Sequence, residues 1–257
     1  MPCLLHYVRL QGNGFMTCKI KKITHPYAWE LYQARLDQSI VTGKPMVERP
    51  FHYENTETGQ LYYDLYGCLA WPSEVSDKDE GMPGYAAVVG IVKSKKEEKP
   101  ENALFQLLIE TESKDVPTLL NNCIKLRIEY GFGLHPNLLQ AWFGDPERFV
   151  TTLALYNEKQ IAAGGEKAAV LVIPPDDFYD TKRFDNYVRS LRSCIMPANT
   201  RFYFGKNEIL KNRLREFRDK DPAVLGAGGL IHSLLSRCEW LDQTRENAFN
   251  IEEELVQ

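Results

Sequence analysis

Asp64 in LYYDLYG, Asp145 in LQAWFGDPE and Asp221 in DKDPAVLGAGGLIHSLL each interrupt or border an apolar run that predicts a core element. The first two runs read as buried strands and the third as an apolar helix. A carboxylate in a buried strand is costly to desolvate unless it is paired, hydrogen-bonded or bound to a cation. Carboxylates gathered from separate elements make a hard-oxygen site suited to Mg²⁺ or Mn²⁺. Two such ions, about 3.5–4 Å apart, would activate a water and stabilise the leaving oxygen of a phosphodiester. Each acid also has a plainer use. Asp64 suits the solvent face of an edge strand, while Asp145 before Pro146 and Asp221 before Pro222 suit helix N-caps. Asp219 competes with Asp221 in either role.

Cationic residues concentrate elsewhere. Residues 182–218 hold ten Lys and Arg, among them Arg189, Arg192 and Arg213, against Asp185, Glu208 and Glu216. Such a local field attracts phosphate backbones even in a chain whose net charge is −4. A solvated helix surface would show the same composition. Residues 239–257 carry the opposite bias, six acids against Arg245 alone.

Smaller groups are read beside these. Glu74, Asp77, Asp79 and Glu80 form an acidic loop, and Asp176, Asp177 and Asp180 follow Ile-Pro-Pro as a turn cluster or a cleft lining. His232 lies eleven residues after Asp221, close to the same helix face at 100° per residue, and suits a proton shuttle or a packed histidine. VTGKPMV places Pro45 where a phosphate-binding loop needs Ser or Thr, so an ATP-driven motor is not expected in this chain. No G-x-S-x-G or Cys/His pairing indicates a covalent hydrolase. GAGG at 226–229 lies inside an apolar helical run, which points to close helix packing and away from a dinucleotide loop.

The elements that must position these residues follow from period and punctuation. Residues 61–71, 85–93 and 103–112 predict three strands joined by non-helical links, an antiparallel meander. The period then changes. A helix is expected over 115–133, a strand over 138–144, and a helix over 146–165 with Pro first and Gly-Gly as its stop. A strand over 168–175, a helix over 183–196, a short edge strand at 201–205 and helices over 207–217 and 221–237 complete the order. Residues 1–58 read as an appendage or connector with a helix over 25–39, residues 59–238 as the domain, and 239–257 as an acidic tail. The order defines an α/β fold with a mixed sheet, three antiparallel strands leading into parallel βα units. It is the order of the ribonuclease H-like fold.

At 257 residues, 44% hydrophobic and 26% charged, the chain suits one sizeable core and argues against wholesale disorder. No apolar run reaches the roughly 18 residues that span a bilayer, and residues 1–22 lack the charged, apolar and small-residue succession of a secretory signal. Six scattered cysteines without a C-x-x-C pair suit reduced thiols in a cytoplasmic setting.

On these residues the stretch 61–237 resembles the nuclease domain of phage terminase large subunits, a ribonuclease H-like module that cuts concatemeric viral DNA for packaging. That family places one acid on the first strand, a second at the end of the fourth and a third at a late helix start, matched by Asp64, Asp145 and Asp221. RSLRSCIMPANTRFYFGKNEILKNRLREF is similar to its penultimate basic segment. Gly67 follows Asp64 where the family has a preceding glycine, Pro146 follows the second acid, and the third match lacks a second acid.

The resemblance implies a metal-dependent DNA endonuclease. Asp64, Asp145 and Asp221 would hold two Mg²⁺ or Mn²⁺ ions, and Arg189, Arg192 and Arg213 would contact duplex DNA. The packaging ATPase would be a separate chain, and the setting the cytoplasm of a bacterial host if the chain is phage- or prophage-encoded. The alternative is a non-catalytic nucleic-acid- or protein-binding module of the same fold in a phage or mobile-element assembly.

Overall fold

The sheet grows outward from β3 (Leu61–Ala70), a strand whose Leu65 and Cys68 are fully buried. The structure, a computed structural model, describes residues 20–24, 51–73, 81–92, 104–130, 142–165, 172–196 and 200–236. β4 (Gly84–Val92) runs antiparallel to β3, and β5 (Leu104–Ser113) antiparallel to β4, giving the expected meander. The chain continues through α1 (Val116–Tyr130), β6 (Trp142–Phe143), α2 (Pro146–Ala162), β7 (Val172–Ile173) and α3 (Arg183–Ile195). β8 (Phe202–Tyr203), α4 (Ile209–Glu216) and α5 (Pro222–Ser236) follow. β6 pairs in parallel with the second half of β3, β7 in parallel with β6, and β8 in parallel with β5. The core order is therefore β5-β4-β3-β6-β7. This is an α/β fold with a mixed sheet.

Residues 20–24 and 51–55, expected within an appendage or connector, instead extend the sheet. β1 (Ile20–Thr24) and β2 (Phe51–Asn55) pair with each other, and β2 pairs with the first half of β3 through Tyr53 opposite Tyr62. A tight turn fixes that register: the Asn55 side chain accepts from the backbone N–H of Glu57 and Thr58, and Gly59 adopts φ 68°. The helix expected over 25–39, the acids of the 74–80 loop and the tail at 239–257 lie outside the described residues. Of the strands expected over 138–144 and 168–175, the described residues place 142–143 and 172–173 in the sheet.

Helices cover both faces, as βα crossovers require. On one face α1 and α2 bury Leu119, Leu120, Cys123 and Phe149 against Leu65, Leu69, Trp71 and Trp142. On the other, α3, α4 and α5 bury Leu191, Leu210, Ala227 and Leu230 against Tyr66, Cys68, Phe105 and Phe143. Alternate β3 residues thus serve opposite cores, the period of a strand. Gly67 is required where β3 meets β6, because a Cβ there would lie 2.5 Å from the Trp142 ring. The GAGG run acts as its composition suggests. A Cβ on Gly228 would approach Tyr187 Cβ to 2.9 Å, so glycine lets α5 pack tightly on α3.

Candidate functional site

Connections from β3 lead to β4 and β5 on one side, whereas β6 and β7 lie on the other. In open α/β sheets such a switch point leaves a crevice beyond the carboxyl ends of the strands, where ligands bind. Here that crevice is a cleft of about 200 Å³ whose lining includes Trp71, Asp145, Arg148, Phe178, Arg183 and Tyr187. Each has a sequence reason to be there. Trp71 follows the last residue of β3, and Asp145 and Arg148 open α2 directly after β6. Phe178 sits in the turn after β7, and Arg183 opens α3.

Two guanidinium groups lie over aromatic rings in this cleft. Arg148 Cζ is 5.6 Å from the centroid of Trp71, and Arg183 Cζ is 4.7 Å from that of Phe178. Arg183 also donates through Nη1 to the Phe178 carbonyl, so cation–π attraction and a hydrogen bond hold it over the ring. Tyr187 donates its hydroxyl to the Asp176 carbonyl at 2.9 Å, and burial pushes its phenol up from the ordinary value. The Trp71 indole is 8% exposed, and its buried Nε1–H has no hydrogen-bond partner among the described residues.

The three acids do not share this cleft. Asp145 lies in it as the N-cap of α2, Oδ1 accepting from Glu147 N and Arg148 N at 3.1 Å each. Pairing of Gly67 with Trp142 and Cys68 with Phe143 carries Gly144 to the level of Leu69 and Asp145 to that of Ala70. Asp64 is six positions back along β3, about 20 Å at roughly 3.3 Å per residue. It is 3% exposed; its Oδ2 accepts from Tyr66 Oη at 2.7 Å and its Oδ1 from Leu65 N at 3.0 Å. These bonds offset part of its desolvation cost. The β3 residues level with Asp145 are Leu69, Ala70 and Trp71, which offer no side-chain oxygen.

Asp221 caps α5, Oδ1 accepting from Ala223 N at 2.8 Å. It is 1% exposed, and its buried Oδ2 has no hydrogen-bond partner among the described residues. Five residues on, Gly226 faces Ala70 and Tyr85, and Gly229 faces Pro175 beyond β7. α5 therefore crosses the sheet from the side of β4 and β5, where Asp221 lies, toward β7. Asp64, Asp145 and Asp221 do not fit a shared pair of divalent ions. Among the described residues no group of three or more His, Cys, Asp or Glu side chains is placed to hold a metal.

The cationic candidates divide as well. Arg213 donates to Glu112 at 2.8 Å and is half-buried; that bond, reinforced by the charges of Glu112, Asp221 and Glu216, makes its guanidinium more basic than usual. It braces α4 against β5. Arg189 and Arg192 are exposed on α3. At 100° per residue Arg192 stands on the side of that helix opposite Arg183, so these two arginines face away from the cleft.

His232 bridges Ser190 Oγ at Nδ1 (2.8 Å) and Asp177 Oδ2 at Nε2 (3.0 Å), a polar clasp between α3, α5 and the turn after β7. Asn186 also donates to Asp177, the Ser236 hydroxyl donates to Asp176, and Asp180 accepts from Lys182 N. The Asp176–Asp180 acids thus order the turn and its helices. Reading for acids missed Trp71, Arg148, Phe178 and Arg183. Their signal was position, Trp71 at a strand end, Arg148 and Arg183 at helix starts and Phe178 in the turn between β7 and α3. No protein-family model, curated protein or solved structure matches the chain.

Proposed function

We propose that this chain is a ribonuclease H-like module that binds nucleic acid through the cleft at the β3–β6 switch point, serving a phage or mobile-element assembly as a binding component. The core order β5-β4-β3-β6-β7, with β4 antiparallel and β6 and β7 parallel to β3, supports that fold reading. The observation that carries the function is the pair of guanidinium groups laid over Trp71 and Phe178 in one cleft. Arginine over an aromatic ring presents its donors at the rim, where phosphate oxygens accept them. Dispersal of the three acids favours this binding role over the endonuclease that the terminase resemblance implies.

Supercoiled plasmid incubated with the protein and Mg²⁺ or Mn²⁺ is expected to shift on a gel yet remain uncut. Asp145→Ala should lower stability by about 1 kcal/mol through loss of the α2 cap and leave the plasmid equally intact. Cutting that a chelator blocks and Asp145→Ala abolishes, in a variant that still folds, would restore the metal-dependent nuclease.

A further inference from the structure

We propose that the cleft takes one unstacked nucleobase, so that single strands are bound in preference to duplex; this rests on the binding role argued above. The first ground is size. At about 200 Å³ the cavity is smaller than the roughly 300–1,000 Å³ of drug-sized pockets, and a duplex has no separate base to offer it. A base in a duplex must be flipped out at the cost of unstacking and unpairing, whereas a single strand presents its bases without that cost. The second ground is the lining. Of its aromatic residues Trp71, Phe143 and Tyr187 are buried, while Phe178 is half-buried and offers ring surface at the carboxyl ends of the strands, and base–aromatic stacking is the common device of single-strand binders.

The third ground is the Trp71 Nε1–H, a buried donor with no hydrogen-bond partner among the described residues in a side chain that lines the cleft. Every nucleobase carries carbonyl oxygen or ring nitrogen acceptors at its edge, so an inserted base supplies the missing partner. Arg148, exposed at the start of α2, and Arg183 then meet the phosphates on either side of that base. Tyr179 is 74% exposed beside Phe178, their ring centroids 5.1 Å apart, and so offers surface to a neighbouring base outside the cleft.

The test is fluorescence anisotropy with one labelled oligonucleotide, alone and annealed to its complement, against the native protein and Trp71→Phe. The single strand should bind about 10-fold tighter than the duplex. Trp71→Phe keeps an aromatic ring and removes the donor, so it should weaken the single strand about fivefold and the duplex by less. Native tryptophan fluorescence supplies a second readout if Trp71→Phe folds poorly: single strand should quench it and duplex should not. Equal binding of strand and duplex, with no quenching difference, would overturn the single-base inference while leaving nucleic-acid binding intact. Absence of binding by either form at low salt would remove both.

Discussion

Arg148→Glu combined with Arg183→Glu is expected to weaken nucleic-acid binding about 100-fold at low salt, roughly tenfold for each reversed charge. The slope of log affinity against log salt should fall by about 2, because two phosphate contacts no longer release counterions. Arg148 is exposed at the start of α2, where reversal costs little stability, and Arg148→Glu alone should show about half the effect on a logarithmic scale. Arg183 also donates to the Phe178 carbonyl, so the double variant needs a melting curve beside the titration. Arg189→Glu with Arg192→Glu makes the matched control. These side chains change the same charge from the far side of α3, and their reversal should act only through the weaker, screened long-range field. Larger losses in the control than in the cleft variant would move the interface to the outer face of α3, where the sequence first placed it.

Glu110→Ala is expected to destabilise the fold by roughly 3–5 kcal/mol, since it strands three donors at about 1–1.5 kcal/mol each. Its carboxylate accepts from Tyr85 Oη at 2.9 Å and from the backbone N–H of Ile209 and Leu210 at 2.6 and 3.0 Å. Those amides open α4, where the helix dipole also favours a negative charge. Tyr85 is 1% exposed, and burial, reinforced by the nearby Cys68 and Glu110, holds its phenol well above the ordinary value, so it remains a donor. Glu110→Gln keeps acceptor oxygen and should recover about half of the loss. Urea denaturation measures both; an alanine variant within about 1 kcal/mol of the parent would show that solvent replaces the carboxylate.

The meander and the helices were legible because their signals are local. The aromatic and apolar richness of LYYDLYGCLA, the apolar run GYAAVVGIV and the Asp145-Pro146 start of α2 each report their own element. The level at which β6 meets β3 has no such local signal. It is set by Trp142 lying over Gly67, a contact between residues 75 positions apart in sequence. That register separates Asp64 from Asp145, so three acids on the expected elements still fail to form one site. β1 and β2 were read as part of an appendage because strands of five residues, one of them the charged IKKIT, carry little periodicity. The cleft was hidden for a related reason. Trp71 closes an aromatic run and looks like core, and only the strand ends reveal that it borders a cavity with Arg148 and Arg183.

Whether nucleic acid occupies the switch-point cleft is read out by ultraviolet cross-linking of a single-stranded oligonucleotide, followed by identification of the modified peptides. Cross-links are expected on Trp71, Phe178 or Tyr179, suppressed by Arg148→Glu with Arg183→Glu. Cross-links confined to the α3 segment that carries Arg189 and Arg192, unaffected by the cleft variant, would contradict binding in the cleft.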